Sequence, residues 1–167
     1  LSDNPSAFGN AWITSDIKWV TTANEEIEAI ATTDAKNVAI VNEEFRDIVS
    51  NFKPSQAEGT IKLTSYRPNE LKYSFNSPKD ELVVFSEIWT KKGWTMRIDG
   101  EEKPLFRSDY ILRCAIIPAG QHEIVMRYEP RIWKVGNTIQ LISSLILIAG
   151  LAVAIVITIR SKKKQHC

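Results

Sequence analysis

Two cysteines and two histidines are all that 167 residues hold of the side chains most used for disulfides and metal sites. With so few thiols a disulfide-stapled scaffold is excluded, and a hydrophobic core has to hold the fold. Neither His122 nor His166 has a second His, Cys or carboxylate at ligand spacing, so neither a metal site nor a cofactor is expected. The glycines form no phosphate-cradling loop and no Gly-x-Ser-x-Gly elbow. Internal repeats and low-complexity stretches are absent as well. Asp99 invites a reading as a catalytic acid, but its place before Gly100 marks a hairpin turn, where both residues tolerate positive φ. No charged n-region with an apolar h-region precedes Ser2-Asp3-Asn4-Pro5, which places the export element of a longer protein upstream of Leu1.

What the sequence does have is one long uncharged run. Ile139 to Ile159 is broken only by Gln140, Ser143, Ser144 and Thr158 among polar residues. At 1.5 Å per residue a helix over this run measures about 31 Å, enough to cross a hydrocarbon core. A buried helix in a soluble core is the competing reading, but a domain this small could hardly wrap such a helix on every side. Arg160, Lys162, Lys163 and Lys164 follow at once, and cations beside a span are retained in the cytoplasm. Arg131 and Lys134 lie on the other side, two against four, with Trp133 between them as an interfacial anchor. The expected division is an extracytoplasmic domain over 1–130, an interfacial linker over 131–138, a transmembrane helix over 139–159 and a basic cytoplasmic tail over 160–167. Residues 1–138 are thus placed outside the bacterial cytoplasmic membrane, and membrane lipid is the first expected partner.

Charge and thiols fit that division. Residues 1–136 carry 17 Lys and Arg against all 20 acidic residues, formally −3, so neither a nucleic-acid footprint nor a polybasic lipid-binding surface is expected on the outer domain. Cys114 and Cys167 fall on opposite sides of the membrane and cannot pair, and no Cys/His couple shares a side. Cys114 alternates with Leu112 and Ile116, so it reads as a buried, inert thiol.

The outer domain reads as mainly β, an antiparallel β-sandwich with one short packed helix. Thr22-Ala23-Asn24-Glu25 fits a capping box, after which Ala23, Ile27, Ile30 and Ala31 share one helical face, with Glu25, Glu26 and Glu28 elsewhere. Short strands are expected at Ala11-Trp12-Ile13, at Ile17 to Val20 and at Asn37 to Val41. From Gly59 the period becomes two: Ile61 and Leu63, then Leu71, Tyr73 and Phe75, alternate with polar residues. Leu82 to Trp89 is more continuously apolar, as in a central strand. Trp94 to Ile98 meets the Asp99-Gly100 turn, and Tyr110 to Ile117 turns at Pro118-Ala119-Gly120-Gln121 into His122 to Tyr128.

One cluster has the residue types of a ligand surface: Glu87, Trp89, Trp94, Arg107, Tyr110 and Arg113. Aromatic faces stack on sugar rings, and Arg pairs with phosphate or carboxylate. The alternative is that the Trp side chains fill the sandwich core while Glu87 pairs with an Arg across strands.

Phe85-Ser86-Glu87-Ile88-Trp89, Lys92-Gly93-Trp94, Ile98-Asp99-Gly100, Pro104, Arg107, Tyr110-Ile111-Leu112-Arg113, Ile117-Pro118-Ala119-Gly120-Gln121-His122 and Arg127-Tyr128-Glu129-Pro130, in this order and spacing, resemble the C-terminal region of the YfhO-type bacterial membrane proteins. Phe8-Gly9-Asn10-Ala11-Trp12 and Ala23-Asn24-Glu25-Glu26 resemble it too. The family is similar to the GT-C class of membrane glycosyltransferases, which draw a sugar from a lipid-phosphate carrier on the outer side of the membrane. The resemblance implies the noncatalytic outer domain and last span of such a transferase. It also implies upstream transmembrane helices of the same protein as partners, and a glycan or lipid-phosphate sugar as a ligand. In GT-C enzymes the catalytic acid lies in an early outer loop, which is not in this sequence. The rival readings are a single-pass anchored glycan-binding module and a surface protein with a sorting signal; no Leu-Pro-x-Thr-Gly supports the second.

Overall fold

The computed structural model describes residues 7–164, the side chains of 131–135, 156 and 158–164 excepted. The anchor side chains Trp133, Arg160, Lys162, Lys163 and Lys164 therefore lie outside what is described, as do His166 and Cys167. The chain falls into two compact units, Leu1–Glu129 and Pro130–Cys167.

The first unit is two stacked sheets. One has six strands in the order β1 (Ala11–Thr14), β6 (Glu81–Ile88), β10 (Leu112–Ile117), β9 (Phe106–Ser108), β3 (Val38–Asn42) and β2 (Asp16–Val20). The other has five: β4 (Thr60–Arg67), β5 (Glu70–Ser77), β11 (Gly120–Tyr128), β7 (Trp94–Ile98) and β8 (Glu101–Lys103). All pairings are antiparallel except β2 with β3, which run parallel because α1 (Ala23–Thr32) makes the crossover between them. A 3₁₀ turn at Glu43–Phe45 and the one-turn helix α2 (Arg46–Val49) follow β3.

Alternation decides which side chains meet between the sheets. Tyr73 and Phe75 of β5, Val83 and Phe85 of β6 and Ile124 and Met126 of β11 form the inter-sheet core. The other face of the six-stranded sheet is covered by Phe45 and Val49, which pack on Leu82, Val84, Phe106 and Cys114. β6 is therefore buried on both faces, and this is why its sequence reads as a run and not as an alternation. Cys114 is fully buried and free, and burial pushes its thiol up, so it stays protonated. The exposed sheet edges are guarded: β8 is three residues long and charged, and β4 carries a bulge between Leu63 and Ser65.

Three expectations need correction. Thr22 does cap α1, accepting from Glu25 N at 3.2 Å while the Glu25 carboxylate takes Thr21 N at 2.8 Å. The buried face, however, is Glu26 and Ala29, packed toward Val20 and Ile40, whereas Ile27 and Ile30 are exposed. The strand expected from Tyr110 begins at Leu112, because Asp109 and Tyr110 both adopt left-handed backbone, φ 47° and 70°. The pairing of Glu87 with an Arg does not form among the described residues. Arg113 instead gives its Nε to Ile88 O and lays its guanidinium on the Trp94 ring.

The second unit is one helix, α3 (Arg131–Lys164), which takes in residues 131–138 as well as the basic run. Its segment Gly136–Ile155 is long and apolar enough to cross a membrane, and none of it is buried in the structure. Ser143 and Ser144 turn their hydroxyls back to the carbonyls of Ile139 and Gln140, which satisfies them within the helix.

Candidate functional site

The strand registers bring the six candidate residues to one end of the sandwich. Ile88 faces Leu112 across β6 and β10, Leu112 faces Ser108 across β10 and β9, and Tyr128 faces Trp94 across β11 and β7. Glu87, Trp89, Trp94, Arg107, Tyr110 and Arg113 all sit within two residues of these positions. This is the end toward which β11 runs, and only Glu129 and Pro130 separate Tyr128 from α3; we call it the exit end. The opposite, hairpin end carries Asp80, Asp99, Gly100 and Ala119.

The six do not form one surface. Arg113 points between the sheets, is 3% exposed, and has its guanidinium 3.9 Å from the Trp94 ring centre. Trp94 in turn packs against Tyr128. Burial draws the Arg113 pKa below its ordinary value, with Glu87, Tyr73 and Tyr66 pulling the other way. The Tyr73 hydroxyl, fully buried and without a hydrogen-bond partner among the described residues, is pushed up by the same loss of water. Trp89 lies on the opposite face of the six-stranded sheet, edge-on to Phe45. Its backbone N donates to Ile111 O at 2.7 Å.

Arg107 and Tyr110 belong to a second cluster, under α1. Arg107 Nη1 donates to Tyr110 O at 2.7 Å and lies 3.1 Å from Glu26 Oε2, while Nη2 reaches Glu44 at 3.5 Å. The Tyr110 N–H donates to Glu26 Oε1, and Asp109 Oδ1 accepts from Ile40 N. Asp109 is nearly buried, and burial, with Glu26 nearby, raises its pKa to about 6. Two successive non-glycine residues in left-handed backbone cost about 1–2 kcal/mol each, Asp less than Tyr, and this ring of hydrogen bonds holds them there. Glu44 and Asp109 went unnoticed in the sequence, and Glu26 was read as part of the polar side of α1. The one local signal was Asp109 after Ser108, a residue type that tolerates positive φ.

At the hairpin end Asp99 has φ 50° and Gly100 φ 90°, as a two-residue turn requires. The Asp99 carboxylate takes the Glu123 N–H at 2.9 Å and His122 Nδ1 at 2.6 Å, while His122 Nε2 meets Ala119 O at 3.2 Å. Both ring nitrogens thus face acceptors, which favours the imidazolium, and the His122 pKa is raised, first by the Asp99 hydrogen bond. A general base needs a free nitrogen, so this pair is built to close a turn. Beside it, Phe75 stacks on His122, and Thr60, Lys62 and Asn76 help line an open groove of about 430 Å³. Among the described residues no three of His, Cys, Asp or Glu gather as a metal site would need.

Comparison with known proteins takes in most of this architecture. The family described as bacterial membrane protein YfhO matches residues 29–140. The uncharacterized protein YfhO of Bacillus subtilis (strain 168) is 25% identical over 117 residues, 70% of this chain and 13% of that protein. The chain therefore spans a small part of that relative's length. No solved structure matches. The family match runs from within α1 through all of the five-stranded sheet and four strands of the six-stranded one into the apolar part of α3, and on that ground the chain belongs to the YfhO family of bacterial membrane proteins.

Proposed function

We propose that this chain is the extracytoplasmic C-terminal domain and last transmembrane helix of a polytopic membrane protein, a glycosyltransferase that uses lipid-phosphate sugars to build cell-envelope glycans. The domain is noncatalytic. It caps the outer face of the helical body and shapes the acceptor side of an active site that lies upstream. The observation that carries this reading is the YfhO family match, which continues into a helix with an uncharged stretch of membrane-crossing length. Arg160, Lys162, Lys163 and Lys164 beyond that stretch favour a cytoplasmic C-terminus and an outer sandwich. The length of the Bacillus subtilis relative favours a polytopic parent over a single-pass binding module. The wiring of the ionic groups supports a noncatalytic role: His122 has both nitrogens engaged, and Arg107 and Glu26 are tied to each other.

The test is removal of the sandwich from the full-length protein, with sugar transfer to envelope glycan as the readout. Loss of transfer at normal protein level is expected, and undiminished transfer would exclude an active-site role. A periplasmic-type reporter fused ahead of Ala11 should be active, and a cytoplasmic one silent.

A further inference from the structure

The exit end exposes what a water-facing surface normally hides. Tyr66, Ile88 and Ile111 are 64%, 64% and 49% exposed, and Tyr110 and Tyr128 are exposed beside them. Around the hairpin-end turns at Asp80, Asp99 and Ala119 no large apolar side chain is exposed among the described residues, although Phe8, Ile27, Ile30 and Ile48 are exposed elsewhere on the sandwich. The difference is not a by-product of loose packing, because the turn that presents Tyr110 and Ile111 is among the most constrained segments of the fold. Two left-handed residues, the buried Asp109 and Glu26 carboxylates and the Arg107 guanidinium together fix it. Such a device holds a strained backbone in place, and here what it holds outward is a tyrosine and an isoleucine.

Exposed cations stand around this apolar rim. Arg67 closes the β4–β5 turn, and Lys91 and Lys92 form the tip of the β6–β7 connection. Glu44, Glu87 and Glu129 stand at this end too, so the rim is mixed in charge, with Arg67, Lys91 and Lys92 at its turns. Tyrosines, which carry an apolar ring and a polar tip, suit the depth of lipid headgroups; isoleucines reach just below it, and lysines meet anionic phosphates. The chain also leaves this same end, two residues after Tyr128, for a helix of membrane-crossing length.

We propose that the exit end of the sandwich is a membrane-contact surface, on which Tyr66, Ile88, Tyr110, Ile111 and Tyr128 enter the headgroup region of an anionic bilayer. Arg67, Lys91 and Lys92 pair there with lipid phosphates. This rests on the reading of α3 as a span and is independent of the transferase reading.

The test uses the whole chain, with Cys167→Ser, in vesicles of phosphatidylcholine with phosphatidylglycerol. An environment-sensitive fluorophore is placed at Ile111→Cys and, separately, at Ala119→Cys on the hairpin end; buried Cys114 does not react. Brominated lipids should quench the Ile111 probe several-fold more than the Ala119 probe, and Lys91→Glu with Lys92→Glu should reduce that difference. Ile88→Cys is the second reporter, should Ile111→Cys disturb its turn. Equal quenching at both ends, or none at either with the chain still held in the vesicles, overturns the proposal. Release of the chain by an alkaline wash overturns the span itself, a separate failure. Quenching that vanishes in the full-length protein overturns the lipid assignment in favour of the upstream helices.

Discussion

At the hairpin end of the sandwich two turns are closed by carboxylates that face water: Asp99 takes Glu123 N and His122, and Asp80 takes Ala119 N. Glu81 is buried there, its oxygen satisfied by the N–H groups of Glu58 and Gly59 and by the Ser77 hydroxyl. At the exit end three charged groups, Glu26, Asp109 and Arg113, are buried, while tyrosines and isoleucines stand outside. Water rewards the first pattern and penalises the second, since buried charges lose solvation and exposed apolar area gains nothing. The two ends therefore answer to different surroundings, although they terminate the same strands.

The largest expected effect comes from removing the charge that organises the exit end. Glu26→Ala strips Arg107 of its buried partner and leaves Tyr110 N without an acceptor; breaking a buried pair costs about 3–5 kcal/mol. Because Glu44 still reaches Arg107, the lower part of that range is expected. Denaturant unfolding followed by near-ultraviolet circular dichroism measures it. A cost below about 1 kcal/mol, the value of a surface pair, would show the exit end to be no more constrained than the hairpin end.

Asp109→Asn should act in the opposite direction. The Asp109 carboxyl is raised to about 6 in the folded chain, chiefly by burial. Below its ordinary value near 3.9 the group is protonated folded or unfolded and makes no difference. As pH rises from there through about 6 the unfolded chain gives up its proton first, so stability falls; above that the full penalty is present. The amide keeps an acceptor for Ile40 N and tolerates positive φ. The substitution is expected to stabilise the chain at neutral pH by on the order of 2–3 kcal/mol, a gain that disappears near pH 4. A gain that persists unchanged at low pH would remove Asp109 ionisation as its cause.

These two residues also show where the sequence could and could not be read. Period-two alternation located β4, β5 and β11, because a sheet with one buried face writes that rule locally. Residue type located the Asp99-Gly100 turn and with it the end of β7, since the φ values of such a turn are a property of two adjacent residues. The six site candidates fall at one end of the two sheets, since β6, β7, β9 and β10 begin or end near them, but they form no single surface. Their contacts were not legible, because Arg113 and Trp94 meet across two sheets. The helical face of α1 was misread for the same reason. Burying Glu26 in place of Ile27 makes sense only with Arg107 and Tyr110 in view, and Tyr110 lies 84 residues away. Three-residue β9 is too short to show any period.

A pair of glycines allows the two ends to be compared at fixed chemistry. Gly93 and Gly100 have φ 102° and 90°, so alanine is strained at both. At Gly100 an added Cβ meets nothing, and the cost is that of the backbone alone, about 1 kcal/mol. At Gly93 it meets the Tyr128 ring, which would have to leave Trp94. About 1 kcal/mol more is expected there, toward the low end of overpacking costs. Equal losses would mean that the Tyr128 ring is not held in place.

The smallest effect is expected at His122, because both it and Asp99 are close to water, where solvent screens their attraction. The His122 pKa is raised by Asp99, so the stability it contributes is complete below about 6.5, the unfolded value, and is lost as pH rises through the folded one. The Asp99 pKa is lowered by His122 and by Glu123 N, so its contribution is complete above about 3.9 and is lost only as pH falls through the depressed value. The pair is strongest between these limits, on the acid side of neutrality, where the Asp109 penalty is building. His122→Ala should remove the decline on the alkaline side and leave untouched the decline that Asp109 produces between about pH 4 and 6. Unfolding midpoints across the pH range, for His122→Ala, Asp109→Asn and the double variant, separate the two. If the two ends are independent, as residues on different sheets at opposite ends of the sandwich should be, the double variant will show the sum of both changes and nothing more.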